Sequence, residues 1–253
     1  METKGSEPNA MTASDRHAHV EIQNVYKAFG HLLVIKNLSI RLEYGEVALL
    51  TGPNAAGKTT LLDLTSGDQR PEAGTVLVNG NIANRLDLFH GGRMGIARCY
   101  QHSGIFPDET VFENLALGMP GLEGFRFRRW LLWRGLCRRQ LGTLREEASK
   151  FLTAFDLADR LDLPARDLSY GQQRIAELAR AALSQSQLVL LDEPFAGLGG
   201  SYREQAFCIL EQMKHAGRTL LVVAHGLDVR AQSLFDTHWE LHDGHLTTVQ
   251  PQQ

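Results

Sequence analysis

Gly52-Pro53-Asn54-Ala55-Ala56-Gly57-Lys58-Thr59, followed by Thr60, is the stretch whose residue types and spacing most plainly suit chemistry. The pattern G-x-x-x-x-G-K-[ST] lets glycine backbone wrap closely around phosphates. Lys58 brings a positive charge to their outer oxygens, and the Thr59 hydroxyl is a hard oxygen ligand suited to Mg²⁺. A short apolar run, Val47 to Leu50, precedes the loop, and a helix-forming stretch, KTTLLDLTSG, follows it. That strand-loop-helix context is what the pattern requires. A second glycine turn, in DLSYGQQRIAEL from Asp167 to Leu178, also feeds into an amphipathic helix. Free N–H groups and the helix dipole at such a start attract anions. The chain therefore carries two phosphate-grade loops more than a hundred residues apart.

Phosphate chemistry also needs carboxylates, and Asp192 and Glu193 close the apolar run Leu188-Val-Leu-Leu191. At a strand end one of them can hold the Mg²⁺ shell while the next orients or deprotonates an attacking water. His225 closes a third apolar run, TLLVVAHG. Parallel strand ends converge on one ligand, so an imidazole there is expected to bond the terminal phosphate and the water.

Positioning these residues takes an α/β framework. HVEIQNV and NLSIRLE, between Val20 and Glu43, alternate with period two and read as half-buried strands. TVLVNG is a strand ending in an Asn-Gly turn, and IARCYQ, Ile96 to Gln101, is another strand. From Thr110 to Leu183 helical patterns dominate, with Ile175, Leu178, Ala179, Ala182 and Leu183 on one face of a helix. DTHWEL and HLTTV read as edge strands. The expectation is a P-loop NTPase core with an N-terminal antiparallel β part, residues 20–253, and a helical subdomain at about residues 105–175. The polar residues 1–19 read as a disordered tail without the apolar core of a secretory signal.

Composition sets limits on partners. The formal net charge is −3, without the basic excess of a dedicated nucleic-acid binder, so no nucleic-acid partner is expected. Cys99, Cys137 and Cys208 are widely spaced and read as free thiols in a reducing compartment. No run approaches the roughly 18 apolar residues that span a bilayer.

Taken in order, GPNAAGKTT, Tyr100-Gln101, LSYGQQR, LVLLDEP and His225 resemble the ATP-binding subunits of ABC transporters, from about Val20 to Val249. The resemblance implies ATP with Mg²⁺, and a second ATPase subunit paired head to tail. In such a pair the signature loop of one chain closes on ATP held by the other. Ser169, Gly171 and Gln172 would then contact the partner's γ-phosphate, which accounts for the second loop. It further implies that Gln101 reaches Mg²⁺ and the attacking water, that Phe29 (rather than Tyr26) stacks on adenine, that Glu193 is the catalytic base and that His225 is the switch histidine. Transmembrane permease subunits, an extracytoplasmic substrate-binding protein and a peripheral place on the cytoplasmic face of the membrane follow from the same likeness. KAFGHLLVIKNLSI, the Tyr170 of LSYGQQR and YQHSGIFPDETVFENLALG look most like importers of branched-chain amino acids, amides or urea. Lipopolysaccharide-export ATPases share much of the pattern, and a non-hydrolysing regulatory module is the reading from another class.

Three positions depart from the family pattern. Ala55 stands where glycine is usual, and alanine penalises φ > 0. Gly199 stands where Asp or Asn normally couples the two sites, and Gly226 stands where Asp is common. A heterodimer with one weaker site would fit these changes. FRFRRWLLWRGLCRRQL, Phe125 to Leu141, holds six arginines, two tryptophans and no acid. It is read as a contact for anionic headgroups or a permease loop, against a solvated helix as the alternative.

Overall fold

The computed structural model describes residues 18–83, 95–101, 104–120, 138–225 and 233–249. The basic stretch, apart from a few helical residues at its end, lies outside them, as do Gly226 and residues 1–17. Two sheets organise the chain. One is antiparallel, in the order β2-β1-β4-β5, from β1 (Ala18–Phe29), β2 (Leu32–Glu43), β4 (Ala73–Val78) and β5 (Asn81–Ile82). The other runs β10-β9-β3-β8-β7-β6, from β3 (Val47–Thr51), β6 (Ile96–Cys99), β7 (Leu188–Asp192), β8 (Thr219–Val223), β9 (Thr237–His242) and β10 (His245–Thr248). It is parallel except for its β9–β10 hairpin.

The apolar runs of β3, β7 and β8 are buried on both faces, which is why they lack alternation. Val47, Leu49, Val189, Leu191, Leu220 and Val222 enter one core. Their neighbours Ala48, Leu50, Leu188, Leu190, Leu221 and Val223 enter the other. The second core lies against the antiparallel sheet and encloses α1 (Lys58–Ser66) through Leu61, Leu62 and Leu64. The first core receives α2 (Val111–Ala116), α3 (Arg138–Thr153), α4 (Tyr170–Leu183) and α5 (Gly200–His215). Helix α1 ends as its sequence dictates, at Gly67 with φ of 82°. Asn79 and Gly80, at φ of 51° and 72°, make the tight turn between β4 and β5.

Several expectations need correction. Ala18 and His19 belong to β1 rather than to a tail. His19 is fully buried, its Nδ1 lies 2.6 Å from Thr219 Oγ1, and its ring stacks on Tyr44 at 4.2 Å. Burial pushes its pKa down to about 4, so the ring is neutral at pH 7. The strand β9 is internal, because it pairs with β3 on one side and β10 on the other, and Trp239 and Leu241 are buried. Only β10 and β6 form the sheet's edges among the described residues. β6 stops at Cys99 and β8 at Val223, which leaves Tyr100-Gln101 and His225 in the loops beyond. Helix α4 is buried well beyond one apolar stripe: Arg174, Ala176, Glu177 and Ala181 are buried as well.

Candidate functional site

Three neighbouring parallel strands, in the order β3-β8-β7, end on the same edge of the sheet. The glycine loop leaves β3, His225 follows β8 and Glu193 follows β7. Residues distant in sequence thus meet because parallel strands share a carboxyl edge. His225 Nε2 lies 3.1 Å from Glu193 Oε1. Asp192 is buried at the end of β7, whereas the Glu193 backbone turns away with φ of 51°.

The loop is shaped for a backbone cradle. A Cβ on Gly52 would lie 2.1 Å from the Leu241 carbonyl oxygen, so β9 admits only glycine there. A Cβ on Gly57, at φ of +103°, would lie 2.8 Å from Val34 Cγ1. Pro53, Asn54 and Ala55 are exposed, and Ala56 is buried. Lys58 folds back to donate hydrogen bonds of 2.8 Å to the Gly52 and Pro53 carbonyls. Burial lowers the lysine's pKa, and the Glu193 and Asp192 charges act to raise it. Thr59 is exposed and Thr60 half-buried in the first turn of α1.

Ala55 has φ of 63°, so the alanine departing from the usual glycine does sit in the left-handed region. Its exposed side chain leaves backbone conformation as the governing effect. We expect Ala55→Gly to leave stability within about 1 kcal/mol, because relief of strain and gain of chain entropy oppose each other. Ala55→Val, β-branched at positive φ, should cost about 2 kcal/mol. Thermal unfolding of the two variants checks both; equal midpoints would refute the conformational argument.

Burial raises the Glu193 pKa and the nearby Asp192 charge adds to it, while His225 and Lys58 pull it back. A carboxylate whose pKa is raised accepts a proton more readily than an ordinary glutamate. The donor set around the loop fits a magnesium nucleotide. Thr59 and Asp192 offer hard oxygens, and the Gly52 and Gly57 positions, where a Cβ would collide with Leu241 and Val34, let the loop backbone pack closely on its neighbours.

Ser169, Gly171 and Gln172 stand apart from this cluster. Among the described hydrogen bonds none joins them to residues 52–60; they open α4. Ser169 Oγ accepts the Gln172 amide at 3.3 Å, and Gln172 Oε1 accepts the Ser169 amide at 2.9 Å. This capping box occupies acceptor oxygens only. The Ser169 hydroxyl proton and the Gln172 side-chain N–H groups keep their donor character, which is what a phosphate requires. Gly171 is required by the Tyr202 ring, whose Cδ2 would lie 2.6 Å from an added Cβ. Phe29 is exposed at the end of β1 with Lys27 Nζ 5.3 Å from its ring centre, and Tyr26 is less exposed. Gln101 is exposed just beyond β6. Gly199 is extended, at φ of −109°, with open space around it, so its backbone does not demand glycine.

Arg174 and Glu177 are residues the motif reading missed. Both are buried, and Arg174 Nη1 lies 2.7 Å from Glu177 Oε2. Arg174 also donates to the Tyr100 carbonyl at 2.8 Å, the Asp192 carbonyl at 2.8 Å and the Glu193 carbonyl at 2.9 Å. Glu177 Oε1 accepts the Gly104 amide at 3.2 Å. One ion pair thus pins the segment after β6, the start of α4 and the carboxylate turn together. The available signal was an oppositely charged pair at i and i+3 on an amphipathic helix.

A parallel sheet delivering a glycine-lysine loop, a carboxylate pair and a histidine to one edge defines a P-loop nucleotide-binding domain. Residues 35–196 match the family model described as ABC transporter. The high-affinity branched-chain amino acid transport ATP-binding protein LivG of Escherichia coli strain K12 is 31% identical over 209 residues, 82% of each chain. The ribose import ATP-binding protein RbsA of Bacillus licheniformis is 30% identical over 210 residues, 83% of this chain and 40% of that protein. The chain thus spans less than half the length of the ribose-import relatives it matches. A nucleotide-free ATP-binding cassette from an ABC transporter superposes with a TM-score of 0.74 at 26% identity, covering 91% of this chain and 90% of that one. An ATP-binding cassette of an ABC transporter in its ADP conformation gives 0.75 at the same identity and coverage. The chain belongs to the ABC transporter family and has the fold of an ATP-binding cassette. Among the described residues no helix is long and apolar enough to cross a membrane.

Proposed function

We propose that the chain is the ATP-hydrolysing subunit of an importer, working at the cytoplasmic face of the membrane beneath transmembrane permease subunits. The observation that carries this is the convergence of Lys58, Asp192, Glu193 and His225 at the carboxyl edge of β3, β8 and β7, while the capped start of α4 makes no hydrogen bond to residues 52–60 among those described. In this reading a cassette whose signature loop does not bond its own glycine loop is completed by a second ATPase subunit, paired head to tail.

In this reading Phe29 stacks on adenine, the backbone of residues 52–57 cradles the phosphates, and Lys58 leaves its loop carbonyls to meet them. Thr59, Asp192 and Gln101 would hold Mg²⁺, which when bound neutralises phosphate charge. Glu193 accepts a proton from the attacking water as its oxygen bonds to the γ-phosphorus and the bond to the leaving diphosphate breaks. His225 holds the Glu193 carboxylate and the terminal phosphate in register. ATP touches both subunits and its products do so poorly, so binding favours closure and hydrolysis favours opening.

For the cargo, we infer branched-chain amino acids, amides or urea. The amino-acid relative matches this chain over 82% of its own length, and the ribose relative over 40% of a longer one. The test is a tagged Glu193→Gln chain, held with ATP and solubilised from native membranes, with its partners identified by mass spectrometry. Permeases accompanied by a solute-binding protein for amino acids or urea would support the reading. A sugar permease would change the cargo, a lipid-export permease would reverse the direction, and the absence of any membrane protein would sink the transport reading.

A further inference from the structure

The start of α4 is fastened to the segment behind Glu193 through two adjacent residues. Tyr170 Oη donates a hydrogen bond to the Ala196 carbonyl at 3.2 Å. The tyrosine ring also covers Gly197, where a Cβ would lie 2.9 Å from Tyr170 Cε1 and where φ is +70°. One residue on, Gly171 abuts the Tyr202 ring near the start of α5. The Ala196 amide in turn donates to the Glu193 carbonyl at 3.1 Å, closing a turn that begins at the left-handed Glu193. A hydrogen-bonded route therefore runs from Tyr170 through Ala196 to Glu193.

The segment itself brings little to this junction. Phe195 and Leu198 are buried beneath it, and Gly197, Gly199 and Gly200 have no side chains. The connection is made from the α4 side, by a tyrosine that remains 51% exposed. An exposed hydroxyl satisfied by a loop carbonyl is held there by geometry rather than by exclusion from water, so its loss leaves the core intact.

We propose that Tyr170 is a positioning residue for hydrolysis: it transmits the seating of the signature loop to the Glu193 turn of its own chain. The proposal rests on the head-to-tail reading above. When the start of α4 closes on the partner's phosphate, the tyrosine carries the Ala196 turn with it, and the general base in the same chain is set at that moment. Each chain's base then responds to the nucleotide held across the interface as well as to its own.

The test is steady-state ATP hydrolysis by the full chain across a range of ATP concentrations, for wild type and Tyr170→Phe. The phenylalanine keeps the ring over Gly197 and removes only the hydroxyl. ATP-dependent dimerisation is measured beside it by size exclusion, comparing Glu193→Gln with Glu193→Gln/Tyr170→Phe. The expected result is a kcat lowered about fivefold, the scale of one neutral hydrogen bond, with KM and the ATP needed for dimerisation changed less than about twofold. An unchanged kcat overturns the proposal. So does a loss of turnover that tracks weaker dimerisation, which would make Tyr170 a contact between subunits. Failure of Glu193→Gln with Tyr170 intact to dimerise in ATP would overturn the head-to-tail reading itself, and is told apart because it appears without any change at Tyr170.

Discussion

Glu193→Gln is expected to lower ATP turnover on the order of 10²–10⁴-fold while leaving ATP binding intact, because an amide preserves shape and cannot accept the water's proton. The environment is the reason to expect this carboxylate, rather than its neighbour, to act as the base. Asp192 is buried at the strand end, whereas Glu193 turns out of β7 and lies beside His225. Burial raises the Glu193 pKa, and His225 and Lys58 oppose that rise. A base works only when deprotonated, so the rate should fall as pH drops through this raised pKa. The acid limb of kcat should therefore lie above the ordinary glutamate range. Removing the opposing charge in His225→Ala should move the limb of the residual activity to still higher pH. Turnover in Glu193→Gln within about threefold of wild type, or a limb that moves to lower pH without His225, would remove Glu193 from the role.

Arg174→Met is the substitution with the largest expected cost in stability. It leaves Glu177 as a buried charge without its ion-pair partner and removes the arginine's hydrogen bonds to the Tyr100, Asp192 and Glu193 carbonyls. Breaking a buried pair from one side costs about 3–5 kcal/mol, a large fraction of a domain's roughly 5–15 kcal/mol. Arg174→Met/Glu177→Leu should be less destabilised than the sum of its single changes, because no charge is stranded. Denaturant unfolding of the four forms measures the coupling. Arg174→Lys separates packing from positioning, since a lysine keeps the charge but has no planar fork to reach the spread of acceptors. Its turnover should fall about tenfold or more even where it folds, because the Asp192 and Glu193 backbone loses its anchor. Additive unfolding energies, with full turnover in the lysine variant, would show the network to be incidental.

Most of the architecture could be read in the chain because its signals are local. Two-sided burial produces unbroken apolar runs, so β3, β7 and β8 were visible as core strands. Gly67 stops α1 for a reason present in one residue type, and Asn79-Gly80 turns for another. Pattern and structure part where the neighbour of a segment matters more than its own sequence. The strand β9 alternates like an edge strand, yet it is covered on both sides because β3 and β10 flank it. The helix α4 shows a clean apolar stripe, yet Arg174 and Glu177 are buried because backbone carbonyls and an amide from other segments satisfy them.

Residue type and short spacing were enough to place the glycine-lysine loop, the carboxylates at a strand end, the α/β class and a second glycine turn at a helix start. Each depends on residue type and short spacing, which the covalent chain carries directly. It takes the packed chain to bring Glu193 within 3.1 Å of His225, Arg174 onto the carboxylate turn and the Tyr170 hydroxyl onto the Ala196 carbonyl. Those contacts join segments from different strands and helices. Their geometry is set by the order β3-β8-β7 and by the packing of α4 beside it, and no local pattern encodes either.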